Sequence, residues 1–244
     1  MPNGEFLLVC GAILVVAFLY SAVGHAGASG YIAVLSLFGY APEIIRPVAL
    51  VLNVLVAAIG VVQFSRAGHF SWPLFWPFAL LAVPMAFVGG YMTLPTQTLK
   101  VLIGIVLLAS AVQFLRKPSA DGELRRPATG PAIAIGGGLG MLAGLTGTGG
   151  GIFLTPLLIF LRWAATKQAS AVSALFILVN SLAGLAGNFS ATRSVPAFAL
   201  SFAGVAVVGG ALGSYAGARR LEVTAIKRLL AVVLTIAGLK LVLS

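Results

Sequence analysis

Apolar residues run through this chain in ten blocks separated by short polar or glycine-rich interruptions, at roughly 5–23, 29–39, 44–65, 73–92, 98–116, 130–146, 151–162, 169–189, 195–216 and 224–243. Eight of them approach the length of about 20 residues at which a helix crosses a hydrocarbon layer roughly 30 Å thick. The second and seventh are only about 12 residues, and at 1.5 Å rise per residue they reach about 18 Å. These two are predicted to be half-helices or arms of re-entrant hairpins. Each follows a glycine-rich break, Gly24-His25-Ala26-Gly27-Ala28-Ser29-Gly30 in one case and Gly147-Thr148-Gly149-Gly150-Gly151 in the other. In a bilayer such a break must be buried in protein or line a wet cavity, because an exposed backbone polar group there is costly. A helix interrupted at the same place in two halves of a chain is a transport-site candidate.

The polar stretch from Arg116 to Pro127 divides the blocks into two sets of five. Each set runs long block, glycine break, short block, then three long blocks. Asn53 and Gly60 answer Asn180 and Gly187, Gly89-Gly90 answers Gly209-Gly210, and Lys100 answers Arg228. The predicted organisation is one membrane repeat over 1–117, a linker over 118–127 and a second repeat over 128–244, together forming one transport unit.

Composition agrees with the block pattern. Apolar residues make up 60% of the chain and charged residues 8%, against about 25% charged in soluble domains. An all-α integral membrane protein is expected, facing the lipid bilayer as its solvent. The net charge of +10 does not point to nucleic acid, since the Lys and Arg residues sit at block ends rather than in one patch. Cys10 is the one cysteine, in an apolar run, and carries no redox signal. Met1 to Glu5 lacks the basic flank of a signal peptide, so the first block is expected to stay in the protein.

Those basic residues instead report topology. If the ten blocks alternate sides, Arg46, Lys100, Arg193 and Lys240 fall on one side and the other eleven of the 15 Lys and Arg on the opposite side. Treating each long and short pair as one broken span destroys this bias. The positive-inside rule therefore puts the linker in the cytoplasm and both termini outside. Five crossings per half, or three crossings and a hairpin, satisfy it equally. In either case each half crosses an odd number of times, so the second repeat is predicted to be inverted relative to the first.

The breaks supply backbone N–H groups where the short helices begin, near Ser29 and near Gly151, and a helix N-terminus with unsatisfied donors is an anion site. The expected binding residues are Gly24, His25, Ser29 and Gly30 from the first break and Thr148, Gly149, Gly150 and Gly151 from the second. Asn53 and Asn180 join them from the middle of the following long helices. Other roles compete with these. Glycines also permit close helix packing, the reading given to Gly136-xxx-Gly140-xxx-Gly144 and Gly209-xxx-Gly213-xxx-Gly217. An asparagine amide serves equally as an interhelical tie, and a histidine across helices is as often structural as proton-carrying. All five carboxylates, Glu5, Glu43, Asp121, Glu123 and Glu222, lie at block ends or in the linker, leaving none for a proton relay or a charged cation cage. No metal-ligand spacing, nucleophile with its base, or phosphate loop is present, so neither a metal, a cofactor nor an enzymatic activity is expected.

The run Gly144-Leu145-Thr146-Gly147-Thr148-Gly149-Gly150-Gly151-Ile152-Phe153-Leu154-Thr155-Pro156-Leu157-Leu158 resembles the signature of the TauE/SafE family of sulfite and organosulfonate exporters. Gly24-His25-Ala26-Gly27-Ala28-Ser29-Gly30-Tyr31, with Phe38-Gly39 following, is similar to the divergent first-repeat form of some members, and the resemblance extends over essentially the whole chain. It implies a secondary transporter of small sulfur-containing or carboxylate anions in a bacterial inner membrane. The first half lacks the triple glycine and a counterpart of Pro156, so the two breaks are not expected to contact substrate equally. An anion channel, a proton-coupled importer using His25, or a membrane scaffold are the competing readings. The glycine faces at 136–144 and 209–217 would permit a homodimer.

Overall fold

The computed structural model describes residues 3–115, 124–193, 196, 199–219, 231, 234–236, 238, 239 and 241–243. Most of the linker and the Lys100–Arg228 correspondence lie outside them. The described residues form nine helices: α1 (Asn3–Ala22), α2 (Ala28–Leu37), α3 (Pro42–Arg66), α4 (Trp72–Tyr91), α5 (Thr96–Leu115), α6 (Thr129–Thr146), α7 (Gly151–Phe160), α8 (Thr166–Thr192) and α9 (Ala199–Arg219). Helical residues recur at 234–236 and 241–243. Six helices, α1, α3, α4, α6, α8 and α9, are long and apolar enough to cross a membrane, so the chain is a multi-pass, all-α membrane protein.

The short helices α2 and α7 have 10 residues each, about 15 Å, and both turn back toward the start of the helix before them, α2 packing along α1 and α7 lying mainly against α8. Gly30 of α2 packs on Val16 and Tyr20 of α1, and the Tyr20 and Ser29 hydroxyls are 2.8 Å apart. In the second half, the Arg125 N–H just before α6 donates to the Arg162 carbonyl just after α7, at 2.8 Å. Each long and short pair is thus a hairpin that returns to its own starting side. Its turn is made by residues in the left-handed region that favours glycine: Gly27 at φ 105°, Gly147 at 79°, Gly149 at 72° and Gly150 at 77°.

Between the hairpins, α3 and α8 cross in opposite directions. Gly60 lies against Ala174, Asn53 bonds Ser181, and Leu50 lies against Gly184, so the contact steps up one helix as it steps down the other. Asn53 and Asn180 therefore sit at the crossing, midway along helices of 25 and 27 residues. Halves that pair their third helices antiparallel are opposed in direction, as the charge distribution predicts.

Glycine ladders close the bundle on either side. Gly136, Gly140 and Gly144 of α6 abut the carbonyls of Phe78, Ala82 and Ala86 of α4, and Gly209, Gly213 and Gly217 of α9 abut those of Leu14, Phe18 and Ala22 of α1. Each ladder joins the first helix of one half to the fourth helix of the other. With no side chain between them the backbones reach van der Waals contact, the source of helix association where lipid removes the hydrophobic drive. These glycine faces are consumed inside a single chain.

Candidate functional site

One face of α3, carrying Arg46, Asn53 and Gly60 at intervals of two turns, runs past both glycine breaks. At its first station Arg46 is 4% exposed despite lying about one turn inside the helix. The Nη1 group donates to the Met92 carbonyl at 3.1 Å, and Nη2 donates to those of Gly90 and, at 3.4 Å, Gly89. The guanidinium thus caps the C-terminus of α4, whose last carbonyls carry partial negative charge. Its Nε is buried without a partner. Behind it the Arg46 stem and carbonyl press on Gly147 of the second break. The basic residue that sequence assigns to a block end is in fact the charge beside the break. Its spacing of seven from Asn53 already puts it on the Asn53 face in sequence, though that spacing does not reveal the contact with the break.

At the second station the Asn53 amide is wholly buried. Its Nδ2 donates to the Thr148 carbonyl at 3.4 Å and to Ser181 Oγ at 3.2 Å, tying the crossing to the second break. A β-carbon on Gly149 would stand 2.7 Å from Asn53 Nδ2, 2.8 Å from Ser181 Oγ and 2.9 Å from Ile177. Thr148 Oγ1 and Thr146 Oγ1 are 3.0 Å apart, and the latter donates to the Leu142 carbonyl at 2.7 Å. Gly150 is the N-cap of α7 and offers no side-chain cap. Its carbonyl accepts from Phe153 and Leu154, so the N–H groups of Gly151 and Ile152 are the ones a helix leaves over. Gly149→Ala combines this crowding with a backbone that disfavours a β-carbon by about 1–2 kcal/mol. Transport is expected to fall to background while the protein still inserts, measured as flux against the amount of monodisperse protein.

The third station is a small cavity at the first break, lined by Ser21, Gly24, His25 and Ala26, by Val56, Ala57, Gly60 and Phe64 of α3, and by Ala174 and Ser214. His25 is buried, and its Nδ1 donates to the Val23 carbonyl at 3.2 Å. Ser170 Oγ donates to the same carbonyl at 3.3 Å. Gly24, at φ 81°, has its α-carbon packed on Ser170. Gly27 is the N-cap of α2, again with no side-chain cap. The Tyr31 hydroxyl donates across the break to the Ala26 carbonyl at 2.8 Å. Sequence reasoning missed Ser21, Ser170, Ser181 and Ser214, since isolated hydroxyls in apolar helices ordinarily bond their own backbone.

The residues expected to bind substrate are thus divided between two places. Asn53, Thr148, Gly149 and Gly150 gather at the second break, while Gly24 and His25 gather at the first. Ser29 is engaged by Tyr20, and Gly30 and Gly151 serve close packing, the latter against Ile177. Asn180 Nδ2 donates to the Phe176 carbonyl one turn back at 2.9 Å. Both asparagine amino groups, expected to serve an anion, are bonded to protein.

Among the described residues no carboxylate is buried and no cluster of metal-ligating side chains exists. Arg46 and His25 are both buried, one at each break.

Known proteins place the chain among transporters. It is 37% identical over 235 residues to a probable membrane transporter protein of Sinorhizobium fredii, covering 94% of this chain and 95% of the relative. A probable membrane transporter protein of Methanocaldococcus jannaschii is 25% identical over 201 residues, 77% of this chain and 75% of the relative. No solved structure matches. Residues 9–241 match the family described as Sulfite exporter TauE/SafE, and a chain with these paired broken hairpins and this full-length match belongs to the TauE/SafE family of membrane transporters.

Proposed function

We propose that this transporter carries small sulfur-containing oxyanions such as sulfite or organosulfonates outward across the bacterial inner membrane, as a secondary permease without a cofactor. The observation that carries the reading is Arg46, a full positive charge 4% exposed beside the second break. Carbonyl dipoles hold it in place without cancelling it. Two uncapped half-helix N-termini and the lack of buried carboxylates among the described residues add to a path biased toward negative charge. Residues 1–117 and 128–244 act as the two opposed repeats of this path, with the linker of 118–127 in the cytoplasm and both termini outside. A cell interior held negative favours exit of a monovalent anion by about 2.3 kcal/mol per 100 mV. Export thus runs without a coupling cation.

Purified protein in liposomes, loaded with sulfite, sulfoacetate, thiosulfate or lactate under an imposed potential, tests this directly. Saturable efflux of a sulfur oxyanion that accelerates as the lumen is made more negative is expected. Absence of flux for every anion in both directions overturns the reading, and single-channel conductance would replace a carrier with a channel.

A further inference from the structure

Two asparagines at the α3–α8 crossing are fully buried, and the Oδ1 atoms of both lack any partner. Amide orientation is often ambiguous, because oxygen and nitrogen exchange places on rotation of the group. Here the neighbouring carbonyls select it, closely at Asn180 (2.9 Å) and by a longer contact at Asn53 (3.4 Å). Asn53 Nδ2 faces the Thr148 carbonyl and Asn180 Nδ2 faces the Phe176 carbonyl, and a carbonyl only accepts. Rotating either amide would set oxygen against oxygen. Both Oδ1 atoms are therefore acceptors turned away from their protein partners, and a buried acceptor left unmade is costly.

The place of Asn53 says what would answer it. Val56, Ala57 and Gly60, which follow at helical spacing on its face of α3, line the cavity at the first break, and Asn53 itself bonds Thr148 of the second, so it lies on α3 between that cavity and the second break. A fully ionised oxyanion has nothing to offer an acceptor oxygen. We infer that the transported anion carries a hydrogen-bond donor besides its negative oxygens, as a hydroxyalkanesulfonate or hydrogensulfite does, and that Asn53 Oδ1 accepts from it. Resting on the anion reading above, this assigns each end of the ligand a partner: backbone N–H groups for the charged oxygens, and Asn53 for the hydroxyl.

The test compares 2-hydroxyethanesulfonate with propane-1-sulfonate, which puts a methyl group where the hydroxyl was, in proteoliposomes of the full chain. The hydroxylated anion is expected to be carried with kcat/KM at least about tenfold higher, a floor well below the roughly 10⁴-fold by which a site built to bond a hydroxyl can reject the analogue without it. Asn53→Leu should erase that preference, lowering the rate for 2-hydroxyethanesulfonate toward that for propane-1-sulfonate. Should Asn53→Leu fail to fold, the wild-type comparison decides alone. Equal rates, or a preference for propane-1-sulfonate, overturn the inference and leave the anion reading standing. Sodium-dependent carriage without a hydroxyl preference also overturns it, by giving the oxygen to a cation. If neither sulfonate moves and no other anion does, both fall together.

Discussion

Gly140→Val and Gly213→Val are each expected to leave almost no folded protein, whereas Gly138→Val, on the same helix as Gly140, should express and purify as the wild type does. At Gly140 a β-carbon would overlap the Ala82 carbonyl of α4, and at Gly213 that of Phe18 of α1. The obstacle is backbone, which has no rotamer to yield. Separating the helices enough to admit the side chain would break the neighbouring contacts at Gly136 and Gly144, or at Gly209 and Gly217, in the same stroke. Overpacking of a side-chain core ordinarily costs about 1–3 kcal/mol, and a ladder that must open along its length exceeds that. Around Gly138 there is nothing within 4 Å, so valine there meets only open space, at about the helix-propensity scale of 1 kcal/mol or less. The fraction of detergent-solubilised protein that is monodisperse measures the contrast, and equal yields for Gly138→Val and Gly140→Val would show that the ladder is not what holds α4 to α6.

The second large effect is expected at Arg46. Arg46→Met should reduce anion flux by roughly 10–150-fold, the equivalent in affinity of about 1.5–3 kcal/mol for a hydrogen bond to a charged group. It also strands the carbonyls of Gly89, Gly90 and Met92, so a loss of thermal stability accompanies it. Arg46→Lys separates the two roles. Lysine keeps the charge but cannot reproduce the planar fork that reaches several carbonyls at once. Flux per folded molecule should therefore recover substantially in Arg46→Lys while stability recovers little. If the lysine variant is instead as inactive as the methionine variant yet fully stable, Arg46 acts by shape at the second break and not by charge.

Much of the architecture is legible in sequence because lipid makes hydropathy nearly sufficient. Block lengths alone separate α2 and α7 from the spanning helices, and glycine-rich breaks mark both turns. What sequence cannot separate is a hairpin from a pair of crossings. Parity is the same for both, and the deciding contacts, Gly30 on Val16 and Arg125 to Arg162, are spatial. Residue roles are less legible than positions. Arg46 reads as a flanking charge because flanking charges are what block ends usually carry, and only the turn of α4 back toward it reveals a cap. Asn53 and Asn180 are correctly placed at the middle of their helices. Their amino groups are nonetheless spent on carbonyls, one belonging to a segment about 95 residues away, and no local pattern announces that.

The two ladders impose an order on synthesis. Leu14 of α1 waits for Gly209 of α9, about 200 residues further on, and at about 5–20 residues per second that is an interval of roughly 10–40 s. During that time the bare backbone edge of the first helix has only lipid or the insertion machinery beside it. α4 and α6, close in the chain, meet much sooner. The N-terminal half made alone would hold an α1 whose mate never arrives, while both halves made together in one membrane carry everything needed to complete each other.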